Sequence, residues 1–146
     1  MNLYTIGFTQ KSAQQFFKVI SDNKIELLLD IRLNNSSQLA GFSKGMDLAF
    51  FLKAICNCDY IHAIEFAPSE KILNAYKKKE ISWETYTIEY TTLINNRDAI
   101  KEFDKRFSRY NSICLLCSEP THDHCHRGVL ARLIINSYPL VEVKHL

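Results

Sequence analysis

The sequence predicts an α/β fold, a three-layer, Rossmann-like single domain over residues 1–146 with a largely parallel sheet. The first reason is that short apolar runs, typical of buried strands, alternate with segments whose apolar residues repeat at helical spacing. The second is the continuous apolar run Leu27 to Leu29, which is expected of a strand that helices cover on both faces. The third is that 146 residues without an internal repeat or linker suit one hydrophobic core.

The strands are predicted from short apolar runs that are bounded by glycine, proline or polar residues. In chain order the predicted strands are Leu3 to Gly7, Ile25 to Ile31, Tyr60 to Ala67, Ile113 to Cys117 and Val141 to His145. Between the second and third strands, the polar stretch Asn34 to Gly45 predicts a long loop. Long loops inside compact domains are often functional.

The helices are predicted from apolar residues at helical spacing. Ser12 with Gln15 forms a capping pair for the first helix, and Asp47 is a candidate cap for the second. The helical stripes are, in chain order, Phe16, Phe17, Ile20; Leu48, Phe51, Leu52, Ile55; Trp83, Tyr86, Tyr90, Leu93; Ile100, Phe103, Phe107; and Val129, Leu130, Leu133, Ile134. A short helix is also predicted over Glu70 to Lys79, with its lysines in solvent. Aromatic stripes of this kind are more typical of a core than of a base-stacking surface.

The composition excludes several classes of protein. An apolar fraction of 47% is too high for a disordered chain, and a net charge of +2 argues neither for nor against nucleic acid as a partner. No apolar run approaches membrane-spanning length, and the N-terminal residues lack the pattern of a secretory signal. An odd number of cysteines, five, then indicates reduced thiols. We therefore expect a cytoplasmic protein without a membrane partner, whose oligomeric state the sequence leaves open.

Polar residues follow three of the predicted strands, at the point where each strand ends. They are Gly7, Phe8 and Thr9 after the first strand, Asp30 and Arg32 at the second, and Cys117 and Glu119 after the fourth. In parallel sheets the ligand crevice lies at the carboxyl ends of the strands. If these three strands are neighbours, their polar residues converge with Cys125, His126 and Arg127 on one crevice.

Cys125 to Arg127 are predicted to lie at the start of the last helix, where backbone N–H groups favour an anion. That anion could be a bound phosphate or carboxylate, or the Cys125 thiolate, whose pKa His126 and Arg127 would lower. Glu119 could act as a general acid or base. The alternatives are that Cys125 is a small buried hydrophobic residue and that Glu119 pairs with Arg127 to hold the loop.

Three other motif interpretations are weaker. Cys117, Cys125 and the nearby histidines offer zinc ligands, but their spacing is irregular and no second pair lies at finger-like distance. Cys114 and Cys117 are spaced like a redox pair, but residues three apart on a strand point to opposite faces. A phosphatase-like loop fails because neither Cys117 nor Cys125 has an arginine six residues later.

These motifs resemble the family called domain of unknown function 488. The similar segments are Thr5-Ile6-Gly7, Asp30-Ile31-Arg32, Tyr60-Ile61-His62 with Glu65, Leu115 to Glu119, and Cys125-His126-Arg127. The resemblance implies an α/β domain in which the matching residues cluster, and it supplies no reaction. This chain departs from the family pattern at three places. Phe8-Thr9 replaces a histidine and a serine, Asn34 to Ser37 replaces a segment with proline, and Phe66-Ala67 replaces a leucine and two glycines.

The sequence therefore favours a cofactor-free enzyme that acts on an anionic small molecule or nucleic acid in a pocket at the strand carboxyl ends. The candidate catalytic residues are Cys125, Glu119, Asp30 and His126. The candidate substrate-binding residues are Arg32, Arg127, Gly7, Thr9 and Cys117, with no metal ligand predicted. The alternative is a non-catalytic module that binds nucleic acid or protein, in which the same cluster is a structural staple, with or without zinc.

Overall fold

The fold is a five-stranded parallel sheet between two layers of helices, as seen in a computed structural model that describes residues 1–36 and 40–146. The strands are β1 (Asn2–Gly7), β2 (Leu27–Asp30), β3 (Asp59–His62), β4 (Ser112–Cys117) and β5 (Glu142–His145). The helices are α1 (Ala13–Asp22), α2 (Gly45–Phe51), α3 (Glu70–Lys77), α4 (Trp83–Asn96), α5 (Ala99–Phe107) and α6 (His126–Ser137). The predicted three-layer, Rossmann-like α/β class is confirmed.

The sheet has the strand order β3-β2-β4-β1-β5, so β2, β4 and β1 are neighbours. The two faces of β4 show why helices cover both sides of the sheet. Ile113 and Leu115 pack with residues of α4, α5 and α6, whereas Cys114 and Leu116 pack with residues of α1 and α2. Because alternate residues of a strand point to opposite faces, a run that is apolar throughout requires cover on both.

The caps of the first helix are as predicted, and those of the second are not. Ser12 and Gln15 form a reciprocal capping box that satisfies two N–H groups at the start of α1. Asp47 is not a cap, because α2 begins earlier, at Gly45, and Asp47 lies in its first turn. There its carboxylate is close to the positive end of the helix dipole. A π-helical turn, Leu52–Cys56, extends α2.

The third strand is shorter than predicted. The strand ends at His62, and Ile64–Phe66 form a 3-10 turn instead of continuing to Ala67. A side chain of α4 and one that directly follows α4 bind the carbonyl groups in and beside this turn. The Tyr90 hydroxyl donates to the Phe66 oxygen at 2.6 Å, and Arg97 donates to the oxygens on either side of it. These bonds stabilise the turn without a strand partner.

The loop predicted over Asn34 to Gly45 is described in part. Residues 37–39 lie outside the described residues, Gly41–Ser43 form a 3-10 turn, and Gly45 opens α2. Among the described helices, none has both the length and the apolar character needed to cross a membrane.

Candidate functional site

The site lies at the carboxyl ends of β2, β4 and β1, which the topology places side by side. Gly7 pairs with Cys117 across β1 and β4, and Asp30 pairs with Leu116 across β2 and β4. The loop after β4 returns the chain to Cys125, which is the N-cap residue of α6. The three strand ends and the start of α6 therefore meet at one edge of the sheet.

A cleft of about 840 Å³ opens at this edge, and we refer to it as the carboxyl-end cleft. Five of the predicted site residues line it, namely Arg32, Cys117, Glu119, Cys125 and His126. The other four, Gly7, Thr9, Asp30 and Arg127, are not among the described residues that line the cleft. The structure thus separates the predicted set into residues that face the cleft and residues that support its walls.

Asp30 and Arg32 form a buried ion pair. Both carboxylate oxygens of Asp30 accept bonds from the Arg32 guanidinium, at 2.8 Å and 2.7 Å, and the Tyr60 hydroxyl donates to the same carboxylate at 2.7 Å. The charge and hydrogen bonds of Asp30 outweigh the effect of burial and raise the pKa of Arg32. Burial, followed by the nearby Asp30 carboxylate, raises the pKa of Tyr60. Asp30 is therefore fully engaged with these two side chains.

Arg32 keeps some capacity to bind a further group. One of its terminal nitrogens donates to the Ser43 carbonyl at 2.7 Å, besides its bonds to Asp30. The other, Nη1, is buried and has no hydrogen-bond partner within residues 1–36 and 40–146. An unpaired buried N–H group is costly, and an anion is a good partner for it.

Three side chains form a thiol–imidazole cluster, which we define as Cys117, Cys125 and His126. The two sulfur atoms are 2.8 Å apart, with the Cys125 thiol as donor, and the Cys117 sulfur lies 3.7 Å from Nδ1 of His126. Nε2 of His126 lies 2.9 Å from the Ile31 carbonyl, which can only accept a hydrogen bond. Nε2 therefore carries a proton, and Nδ1 faces the Cys117 sulfur.

The electrostatics of the cluster distinguish its two thiols. Burial alone raises the pKa of Cys117, but the bond from Cys125 and the adjacent His126 outweigh it and hold that pKa well below its ordinary value. Burial and donation to Cys117 raise the pKa of Cys125. Burial lowers the pKa of His126, but the facing Cys117 outweighs it and gives a net rise. The cluster therefore favours a Cys117 thiolate beside a His126 imidazolium, whereas the sequence suggested a thiolate at Cys125.

Arg127 is buried behind the cleft, where it holds the loop after β4. Its guanidinium donates to the Glu119 carbonyl at 2.6 Å and the Pro120 carbonyl at 3.4 Å, and Nη1 also lies 3.6 Å from the Cys125 sulfur. Its contact with Glu119 is thus to the backbone, and not to the carboxylate. Thr9 supports the same loop, because its hydroxyl donates to the Ser118 carbonyl at 2.6 Å.

Gly7 leaves room for this loop to approach β1. A Cβ atom at Gly7 would overlap the Glu119 carbonyl and come within 3.2 Å of Arg127. We expect Gly7→Ala to lower the free energy of unfolding by about 1–3 kcal/mol, because backbone must move to relieve the overlap. Gly41→Ala is the control, since no described atom lies within 4 Å of its Cβ position. Equal urea midpoints for the two variants would contradict this role for Gly7.

The same three side chains could hold a metal ion. One ligand atom each from Cys117, Cys125 and His126 lies within 4.8 Å of the others, and all three residues are buried. Two thiolates bound to one tetrahedral zinc at about 2.3 Å would stand about 3.8 Å apart. The observed separation of 2.8 Å is shorter than that. The two sulfur atoms would therefore have to move about 1 Å further apart to bind one zinc, and the described residues bring only three donors together where a structural zinc takes four.

The sequence did not single out several residues that shape the cleft. Lys77 and Lys79, predicted as part of a solvated face, line it together with Tyr76 and Tyr86. No local signal predicts this, because it depends on where α3 lies relative to the sheet. Tyr60, which donates to Asp30, belongs to the Tyr60-Ile61-His62 segment of the family resemblance, and only the pairing of its strand with β2 shows that it lies beside Asp30.

A family model matches most of the chain. The family model described as "Domain of unknown function DUF488" matches residues 12–134, which is most of the chain and includes Asp30, Arg32 and the whole cluster. Neither the comparison with curated proteins nor the comparison with solved structures finds a match. The family match rests on the sequence alone, and it covers β2 and β4 as well as the loop that carries Cys125. The chain therefore belongs to the domain of unknown function DUF488 family.

Proposed function

We propose that this protein is an enzyme that acts on an anionic, nucleotide-like or nucleic-acid-like substrate, with the Cys117 thiolate as its nucleophile. The observation that carries the proposal is the contact of Cys117 with both Cys125 and His126 on the lining of the carboxyl-end cleft. A thiolate, not a thiol, is the reactive form of cysteine, and a neighbouring cation and hydrogen-bond donor stabilise it. Perturbed titrating groups in a cleft are typical of functional sites.

The charges around the cleft support an anionic substrate. The exposed Lys77 and Lys79 stand on one wall, and Arg32, with its unpartnered nitrogen, contributes to the lining. A guanidinium offers a planar fork to phosphate or carboxylate, and a lysine adds a point charge. Glu119 is exposed at the same cleft, where its carboxylate is available as a general acid or base.

An aromatic wall supports a substrate with a base. Tyr76, which is half-buried, lines the cleft and is the aromatic ring there that a base could reach. Tyr86 also borders the cleft, but it is 2% exposed and its ring is stacked between Trp83 and Tyr90, so it supports this wall from behind. His124, also in the lining, packs edge-on against Trp83 at 5.2 Å. Aromatic faces beside basic side chains are a recurrent way to hold single nucleotides, because every base has a face that can stack.

In this proposal the predicted residues take distinct roles. Cys117 attacks, Cys125 donates a hydrogen bond to it, and His126 provides the positive charge that stabilises the thiolate. Asp30 positions Arg32 and does not itself act as a base, because its oxygens are already bonded to Arg32 and Tyr60. Arg127, Thr9 and Gly7 position the loop that carries Glu119.

The test is protection of Cys117 from alkylation. We expect a panel of nucleotides and short single-stranded oligonucleotides to contain ligands that slow iodoacetamide labelling of Cys117 and leave that of Cys56 unchanged. The paired variant Lys77→Ala with Lys79→Ala should weaken this protection. The control, Lys101→Ala, removes an exposed lysine on α5, which is outside the cleft lining. If no anion protects Cys117, or if both variants behave alike, the proposed substrate class is wrong.

A second candidate is the non-catalytic binding module with a zinc staple, which the three-donor cluster favours. We expect the purified protein to carry no stoichiometric zinc, because only three donors converge among the described residues and a structural zinc takes four. Elemental analysis after dialysis against a weak chelator measures this. About one zinc per chain, lost together with folded structure in a strong chelator, would instead establish the structural staple.

A further inference from the structure

The two cysteines of the thiol–imidazole cluster are close enough to form a disulfide. Their sulfur atoms are 2.8 Å apart, and a disulfide needs a separation of about 2.05 Å, so the atoms must approach by less than about 1 Å. Regular structure fixes both residues, because Cys117 ends β4 and Cys125 caps α6. Neither is bonded to another cysteine in the structure.

We propose that Cys117 and Cys125 are a peroxide-reducing dithiol pair, with Cys117 as the attacking thiolate and Cys125 as the resolving thiol. This activity goes beyond the function proposed above, because its co-reactant is a hydroperoxide and it does not require a nucleotide. Cysteines that react with peroxide typically have thiolate character and stand beside a second thiol that captures the oxidised sulfur.

The hydrogen bonds of the cluster assign the two roles. Two groups converge on the Cys117 sulfur, Nδ1 of His126 and the Cys125 thiol, so Cys117 is the better placed of the two to carry the negative charge, with Cys125 as its hydrogen-bond donor. His126 faces Cys117 at 3.7 Å, whereas Nη1 of Arg127 is bonded to the Cys125 sulfur at 3.6 Å. Arg127 is thus placed to stabilise a Cys125 thiolate once that residue has lost its proton.

The reaction balances with these groups and one hydroperoxide. The Cys117 thiolate attacks the terminal oxygen of ROOH, the O–O bond breaks, and a sulfenic acid and an alkoxide form. The alkoxide takes the Cys125 proton and leaves as ROH. The Cys125 thiolate then attacks the sulfenic sulfur, forms the disulfide and expels hydroxide. Two electrons pass from the dithiol to the peroxide, and an external thiol restores the reduced pair.

Burial selects a small oxidant. Cys117 and Cys125 are 4% and 3% exposed, and both line the carboxyl-end cleft, which offers a route to their sulfur atoms. A hydroperoxide can pass along a cleft of about 840 Å³, whereas the disulfide of a folded partner protein cannot bring its sulfur to the same place. Burial raises the pKa of Cys114 and that of Cys58, so neither of these buried thiols has the thiolate character proposed for Cys117.

The test is disulfide mapping after stepwise addition of hydrogen peroxide to the reduced native protein. Free thiols are blocked with N-ethylmaleimide, and cleavage before Asp123 separates the peptide of Cys125 from that of Cys117. We expect the Cys117–Cys125 cross-link to be the first oxidation product, with Cys56 and Cys58 still blocked as free thiols, and dithiothreitol to reverse it. Sulfinic acid at Cys117 together with a free Cys125 thiol would overturn the proposal.

One variant and its control test the resolving role assigned to Cys125. Cys125→Ala should leave a sulfenic acid on Cys117 that dimedone traps, whereas the control Cys58→Ala, which removes a buried cysteine outside the cleft, should cross-link like the wild type. Cross-linking of Cys117 to Cys114 in the wild type would also overturn the assignment. If the cross-link forms but nucleotides fail to protect Cys117, the substrate proposal fails and this one stands. If nucleotides protect Cys117 but no cross-link forms, this proposal fails and the substrate proposal stands.

Discussion

Replacing Asp30 with alanine is expected to lower the free energy of unfolding by about 3–5 kcal/mol, because it leaves a buried guanidinium without its counter-ion. Asp30 is 0% exposed and Arg32 is 3% exposed, so the guanidinium is largely removed from the water that would otherwise solvate its charge. The Tyr60 hydroxyl loses its acceptor in the same variant. Chemical denaturation, followed by the fluorescence of Trp83, measures the change.

Asp22→Ala is the matched control, since it also removes one carboxylate from an ion pair. Asp22 pairs with Lys18 at 2.7 Å, but both side chains are more than half exposed, and an i,i+4 pair of this kind contributes only about 0.3–0.5 kcal/mol. A loss below about 1 kcal/mol for Asp30→Ala would mean that the buried pair is not a principal support of the cleft.

The second large effect is expected from His126→Asn, which removes the imidazole that faces Cys117. The pKa of Cys117 should rise, because a positive charge next to a thiolate favours its ionised form. We expect alkylation of Cys117 near neutral pH to slow by about tenfold, since the reaction rate follows the thiolate fraction. Site-resolved iodoacetamide labelling measures the rate.

His122→Asn is the control for this variant. His122 lies in the same loop, stacks on His145 with ring centroids 3.4 Å apart, and is not among the cleft-lining residues. Its replacement should leave the labelling rate of Cys117 unchanged. Equal rates in His126→Asn and the wild type would show that the imidazole does not tune Cys117, and the proposed role of His126 would be lost.

Much of the fold was predictable because its signals are local. The apolar run of β4 and the capping box of α1 each specify their element through neighbouring residues, and both are seen. The end of β3 was not predictable in the same way. The carbonyl groups of Glu65, Phe66 and Ala67 accept hydrogen bonds from side chains in α4 and just after it, and these contacts span 24 to 32 residues of sequence.

The candidate site was also predictable in part: the positions of its residues were, and their chemistry was not. The positions of Asp30 and Cys117 follow from the rule that parallel strands end at a common edge, once β2 and β4 are neighbours. Their chemistry does not follow from that rule. Whether the thiolate lies on Cys117 or Cys125 depends on which sulfur receives the hydrogen bond and on which nitrogen of His126 faces it. These contacts depend on how the fold places the side chains, so the sequence pattern does not predict them.

The most direct test of the account is the pH dependence of alkylation at each cysteine of the native protein, because the central claim is a reactive Cys117 thiolate. Between about pH 6 and pH 9, the labelling rate of Cys117 should depend on pH less steeply than that of Cys56, because its neighbours hold the pKa of Cys117 well below its ordinary value. Over the same range Cys56, whose pKa burial raises, should label about tenfold faster per pH unit. Cys125 should remain largely unlabelled. Faster labelling of Cys125 than of Cys117, or labelling of Cys117 only in denaturant, would contradict the account.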